Sequence, residues 1–147
     1  IQNLKVLNMQ IFLRLKKKFF LLKKLLMKKK ILFELKKDKI DLICLAGFMK
    51  ILSKNFIKNF KGKILNIHPS LLPKFKGLNT HERAINKKEK YSGCTVHFVN
   101  SKLDSGKIIL QKKVMIKKSD TPKTLAKKIL SQEHKLYPKA ILKIFSL

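Results

Sequence analysis

The hydrophobic positions change their spacing several times along the chain, and each change marks an element. Asp41 to Ala46, reading Asp-Leu-Ile-Cys-Leu-Ala, is apolar without alternation, which predicts a parallel strand buried on both faces and closed by Gly47. Upstream, Phe19 to Lys37 carries Leu22, Leu25, Leu26, Ile31, Leu32 and Leu35 among lysines at roughly helical spacing, an amphipathic helix. Leu4 to Leu7 reads as a short strand before it. Downstream, Ser53 is placed to cap a helix over Lys54 to Phe60. Ile64 to His68 then alternates apolar and polar positions and stops at Pro69, which cannot donate to a central sheet ladder. Lys74 to Asn79 is a loop containing Gly77, and Thr80 is read as the cap of a short helix through Asn86. Tyr91 to Val99 and Lys107 to Ile116 alternate in the manner of strands. The turn-rich Asn100 to Gly106 between them makes an antiparallel pair. Thr121-Pro122 opens a last helix through Leu125, Ile129 and Leu130 towards Leu136, with Pro138 expected to bend or restart it.

Strands alternating with helices predict an α/β fold, one domain over residues 1–147, with a mostly parallel sheet, flanking helices and an antiparallel β-loop-β portion. In open α/β sheets ligands bind beyond the carboxyl ends of the strands. Asn66 and His68, two apart and on one face of their strand, would point into such a crevice. The amide is a neutral donor suited to an oxyanion, and imidazole is the side chain that titrates near neutral pH without help. Taken alone, a single histidine beside a proline is more often a packing or capping residue than a catalyst. His81 reads as a surface helix residue, His97 as a satisfied strand residue and His134 as structural.

The formal charge of +28 invites a nucleic-acid reading through phosphate neutralisation. The excess is almost all Lys, with Arg only at 14 and 83, and it is spread over every segment without an aromatic platform, zinc pattern or recognition helix. Dedicated nucleic-acid binding is therefore not expected, although a basic surface suits phosphorylated sugars and polycarboxylates. Cys44 and Cys94 fall inside predicted strands without a metal-ligand spacing, so buried free thiols and a cytoplasmic location are expected, with no metal. The apolar stretch before Ile31 is broken by Lys23, Lys24, Lys28, Lys29 and Lys30 and cannot span a bilayer. The chain starts at Ile1 rather than Met and is read as a fragment or a processed chain.

Asn66-Ile67-His68-Pro69-Ser70-Leu71-Leu72-Pro73, followed by Gly77-Leu78 and Thr80-His81-Glu82, resembles the signature of the folate-dependent glycinamide ribonucleotide formyltransferases of purine synthesis. Ala46 to Leu52 resembles the Ala-Gly-Phe-Met-basic-Ile-Leu segment of the same family, and Gln132-Glu133-His134 with Tyr137-Pro138 its late helix. The chain departs from the pattern at Lys76, where Pro is usual, and at Asn79, where His is common. The resemblance implies a Rossmann-like formyltransferase fold and transfer of formyl from 10-formyltetrahydrofolate to 5'-phosphoribosylglycinamide without a metal. It implies Asn66, His68 and Asp104 as the catalytic set, with Asp104 favouring the imidazolium of His68. Folate would lie against Met49, Lys50, Ile51 and Leu52, with Asn66, and against Asn100, Ser101, Lys102 and Leu103. The ribonucleotide would meet Gly47, Met49, Pro69, Leu130, Ser131, Gln132 and Glu133.

Members of this family also carry a Gly-rich phosphate loop after their first strand, and nothing of that kind precedes Ile40. The first βαβ unit is therefore expected to be missing. A homodimer is left open, as are two related activities that share Asn-x-His and the later Asp, methionyl-tRNA formyltransferase and formyltetrahydrofolate hydrolase. A basic nucleic-acid-binding domain is the non-enzyme alternative.

Overall fold

The structure, a computed structural model, describes residues 6–8 and 24–145, with side chains from residue 30 onward. The elements run β1 (Val6–Asn8), α1 (Lys24–Lys37), β2 (Leu42–Ala46), α2 (Lys54–Asn59), β3 (Lys63–His68), α3 (Thr80–Asn86), β4 (Tyr91–Phe98), β5 (Ile108–Met115) and α4 (Pro122–Ile144). The chain divides into two compact units, Ile1–Asn66 and Ile67–Leu147.

In the first unit the strands follow the order β1-β2-β3. β1 and β2 are parallel, with Val6 opposite Leu42 and Asn8 opposite Cys44. The β1–α1–β2 segment is thus one parallel crossover unit. The expected first strand, Leu4 to Leu7, overlaps β1 at residues 6–7; its residues 4–5 and residues 19–23 of the expected helix lie outside the described residues, as does most of the stretch searched for a Gly-rich loop. β2 is buried from Leu42 to Leu45, as its unbroken apolar run requires. Full burial of Leu42, Ile43 and Leu65 contributes roughly 1.5–3 kcal/mol each. Ser53 caps α2 as read, its hydroxyl accepting from the Phe56 backbone N–H at 3.2 Å. Gly62 runs hard against β2: a Cβ there would fall on the Asp41 carbonyl oxygen.

In the second unit the carboxyl end of β3 is followed in the strand order by β4 and then β5, which pair antiparallel. α4 packs on both through Leu125, Ile129, Leu136 and Ala140, a stripe spaced four, seven and four residues apart. Pro138 neither ends nor restarts this helix, which runs unbroken to Ile144. Buried residues of the same stripe on either side of the proline hold the backbone helical despite the missing N–H. The Thr121 start is as read, with its side chain and that of Thr124 exchanging hydrogen bonds with each other's backbone N–H. Thr80, by contrast, is not a cap. Asn79 takes that position in the left-handed region (φ 55°) without a side-chain bond, and Thr80 is the buried first residue of α3.

Asp120 ties the start of α4 together. Its carboxylate accepts from Lys128 Nζ at 2.6 and 2.7 Å, from the Lys117 N–H at 2.8 Å and from the Thr124 hydroxyl at 3.0 Å. These bonds, Lys128 foremost, hold its carboxyl down to about 2. A carboxylate depressed in the folded state adds stability above its unfolded pKa of about 4 and loses it as pH falls through the folded one. Asp120→Asn is therefore expected to flatten the fall in melting temperature between about pH 4 and pH 2. Parallel pH profiles for the two proteins would show that the cluster contributes nothing.

Candidate active site

The second unit gathers two histidines and one carboxylate where β3 and β4 end. β3 delivers His68, 6% exposed. The chain then turns back at Pro69 in a compact segment fixed by Thr95 of β4. The Thr95 hydroxyl donates to the Ser70 carbonyl at 2.6 Å and accepts from the Leu72 N–H at 3.1 Å and from Gln111 Nε2 at 2.9 Å, so all its capacity is used. Ser70, fully buried, donates its hydroxyl to the Lys74 carbonyl at 2.6 Å. Replacing Thr95 by Val is expected to destabilise the protein by about 1–3 kcal/mol, because the buried Leu72 N–H loses its partner. Urea denaturation measures this, and a midpoint unchanged from wild type would count against the network.

The following loop, residues 74–79, returns to the histidine. His68 Nε2 donates to the Phe75 carbonyl at 2.9 Å. The Gly77 N–H donates to Asp104 Oδ2 at 2.8 Å, and Lys76 Nζ, at the position where the family pattern has Pro, donates to the Ser105 hydroxyl at 2.6 Å. Phe75 (φ 53°), Gly77 (φ 79°) and Asn79 (φ 55°) all lie in the left-handed region, so the loop is tightly coiled.

Asp104 comes from the β4–β5 connection. The register slips by one residue between Val96, opposite Leu110, and His97, opposite Ile108. Such a bulge twists a strand end and re-aims its side chains. The Phe98 N–H still bonds the Lys107 carbonyl at 2.9 Å, and Gly106 passes so close that a Cβ would fall on the Phe98 carbonyl oxygen. Between these two anchors Asp104 adopts φ 43°, a conformation Asp tolerates better than most residues.

The outcome is a bridge. Asp104 Oδ2 lies 3.4 Å from His68 Nδ1, and Oδ1 lies 3.7 Å from His97 Nε2, with all three side chains at most 8% exposed. Both nitrogens of His68 therefore face oxygen acceptors. A neutral tautomer donates to one of them and turns a lone pair towards the other, so a proton gained during a reaction finds an acceptor at either nitrogen. His97 is the opposite case: burial lowers its pKa, against the raising effect of the Phe98 carbonyl and Asp104. Its Nδ1 lies 2.8 Å from that carbonyl and donates to it in the neutral ring.

The structure thus brings His68 and Asp104, both implied by the family resemblance, together with His97, which reads from the sequence as a satisfied strand residue and is one here. His81 is not simply a surface residue: its Nδ1 is buried without a hydrogen-bond partner, and burial, then the charge of His68, lowers its pKa. Asn66 lies in β3 two residues before His68, half-buried, as the last residue of the first unit. In that unit Gly47 (φ 58°) turns the chain at the end of β2, and beyond it Met49 and Ile51 are 76% and 69% exposed, Lys50 is exposed and Leu52 half-buried. In the second unit Asn100, Ser101 and Lys102 are exposed, and the Asn100 side chain accepts from the Lys102 N–H at 2.9 Å. Leu103 and Leu130 are each 49% exposed, Ser131 is exposed, and Pro69, Gln132 and Glu133 are half-buried. Burial raises the Glu133 pKa. It also pushes the Cys94 thiol up to about 12, with the Glu133 carboxylate adding to the effect. Among the described residues no group of His, Cys, Asp and Glu could hold a metal ion, and no helix is long and apolar enough to cross a membrane.

Residues 5–141 match the sequence pattern of the family described as formyl transferase. The trifunctional purine biosynthetic protein adenosine-3 of Homo sapiens is 53% identical over 102 residues, 69% of this chain and 10% of that protein. The phosphoribosylglycinamide formyltransferase of Haemophilus influenzae is 52% identical over 102 residues, again 69% of this chain but 48% of the relative. The match therefore spans about half the length of the bacterial relative and a tenth of the human one. The crystal structure of phosphoribosylglycinamide formyltransferase from Brucella melitensis superposes with a TM-score of 0.74 at 50% identity, over 80% of this chain and 60% of that one.

Proposed function

Because the chain belongs to the formyl transferase family, we propose that it transfers the formyl group of 10-formyltetrahydrofolate to the glycinamide amine of 5'-phosphoribosylglycinamide. The names of the bacterial relative and of the crystal structure favour this acceptor over tRNA or water, and that of the human relative supports a place in purine biosynthesis. The observation that carries the chemistry is the buried contact between His68 and Asp104.

The acceptor amine attacks the formyl carbon, the bond from that carbon to N10 of the folate breaks, and one proton passes from the amine to N10. Three aids suffice: a stabilised oxyanion, a proton relay and orientation of the two substrates. Nε2 of His68 is committed to the Phe75 carbonyl, so Nδ1 is the working nitrogen. Its 3.4 Å separation from Asp104 is long for a hydrogen bond, so a substrate oxygen at the ring edge can share the Nδ1 proton without breaking a strong bond. Asp104 balances the imidazolium charge throughout. In the second unit the exposed Leu103 side chain supports contact with the flat pterin, and Leu130 to Glu133, with Pro69, contacts with the ribonucleotide. Partners on this reading are small molecules, and the site of action is the cytoplasm.

The test is direct: the purified protein is mixed with 10-formyltetrahydrofolate and phosphoribosylglycinamide, and formylated product is measured beside deformylation by water. Product formation on the amine supports the reading. A folded protein that releases formate instead, or formylates methionyl-tRNA, overturns the choice of acceptor.

A further inference from the structure

Arg83 has no place in the chemistry above, yet its side chain reaches three residues of the loop that holds the site. From α3 its Nη1 donates to the Lys76 carbonyl at 2.7 Å and to the Leu78 carbonyl at 3.2 Å, and its guanidinium carbon lies 5.3 Å from the centre of the Phe75 ring. The loop presents the opposite groups to the active site. The Phe75 carbonyl takes the Nε2 proton of His68, and the Gly77 N–H binds Asp104. The clamp and the site thus hold alternate groups of one short segment.

From this geometry we infer that Arg83 is a positioning residue, which sets the His68 ring and the Asp104 carboxylate through the loop from Phe75 to Leu78. The inference rests on the formyl-transfer reading for its effect on rate, though not for its effect on the histidine. Two physical reasons support it. The loop places Phe75, a bulky residue, at φ 53°, a conformation that persists only where the surroundings impose it. A planar guanidinium also suits the task as a point charge does not: it offers several donors in a fixed fork and stacks on an aromatic face. The other cations near this loop act elsewhere. Lys74 pairs with Glu89 at 2.9 Å and Lys76 binds Ser105, so neither spans the two carbonyls. If Phe75 and Lys76 drift, Nε2 loses its acceptor, the ring is free to rotate, and Nδ1 is no longer directed at Asp104.

The experiment compares wild type, Arg83→Ala and Arg83→Lys, each checked for an unchanged fold by circular dichroism and urea denaturation. The first readout needs no substrate. In protein labelled with ¹⁵N at its four histidines, the Nε2–H signal of His68, assigned by its disappearance in His68→Gln, reports the bond to Phe75. It is expected to be protected from exchange in wild type, lost in Arg83→Ala and weakened in Arg83→Lys. The second readout is kinetic. Misplacement of a reacting group by about 1 Å costs about 10²-fold. Arg83→Ala is accordingly expected to lower kcat by about 10- to 100-fold while KM for either substrate stays within about threefold. Arg83→Lys should fall between the two, and methylguanidinium should restore part of the rate to Arg83→Ala.

An Nε2–H signal unchanged in Arg83→Ala overturns the clamp whatever the activity. A lost signal with unchanged kcat overturns its role in the reaction. Should wild type prove inactive on phosphoribosylglycinamide, the proposed acceptor fails and the nitrogen signal alone decides the clamp.

Discussion

Replacing His68 by alanine is expected to lower kcat by about 10³-fold, with kcat/KM falling in the same proportion and the protein still folded. The magnitude follows from what the ring does. It is a ring donor facing the site's carboxylate at 3.4 Å, and on the proposed reading it serves both the developing oxyanion and the transferred proton. Each role alone is worth about 10²-fold or more. Equal losses in kcat and kcat/KM would mark an interaction made only in the transition state. The side chain touches the Phe75 carbonyl and Asp104, so some loosening of the loop will accompany its removal. His68→Gln controls for this, because its amide N–H can reach towards the same carbonyl while it cannot carry a charge. Both variants should be slow if charge and proton transfer matter. If the glutamine variant retains more than about a tenth of the wild-type rate, a neutral donor suffices and the imidazolium assignment is wrong.

The parts of the fold legible in the sequence were those where one local signal met no competitor. The unbroken apolar run of β2, the Ser53 cap and the Thr121-Pro122 start all came through, because burial on both faces, a hydroxyl acceptor and a fixed φ each act within a few residues. Pro138 was overruled by the packing of Leu125, Ile129, Leu136 and Ala140, whose partners on β4 and β5 are distant in sequence. The capping role read for Thr80 failed because the loop before it coils left-handed through Asn79, which takes the cap position, in a segment that also bonds Arg83 and Asp104 from far along the chain or from the next helix.

The site shows the same division. His68 stood out as a polar residue closing an apolar strand. His97 had the same appearance, and nothing in its neighbours announced the register slip that turns it towards Asp104. The Phe75 carbonyl is a backbone atom and carries no signature at all. Arg83 looked like one more cation on a chain of +28 charge, although it is one of only two arginines in a chain dominated by lysine. That rarity was the signal available, since a forked donor cannot be replaced by lysine without loss.

Asp104→Asn isolates the second half of the pair, and its expected effect is a fall in kcat of about 10²-fold or more with little change in KM. The substitution keeps the size of the side chain, keeps an oxygen that can accept from the Gly77 N–H, and keeps a residue type that tolerates φ 43°. What disappears is the negative charge that faces His68 Nδ1 at 3.4 Å and His97 Nε2 at 3.7 Å in a setting shielded from water. Without that charge, a proton relayed through Nδ1 in the transition state meets no counter-charge in a site shielded from water. Because the shape of the side chain is kept, the loss should appear in kcat rather than KM, and this separates loss of charge from loss of shape. A rate for Asp104→Asn within about threefold of wild type would reduce Asp104 to a loop residue tied to Gly77.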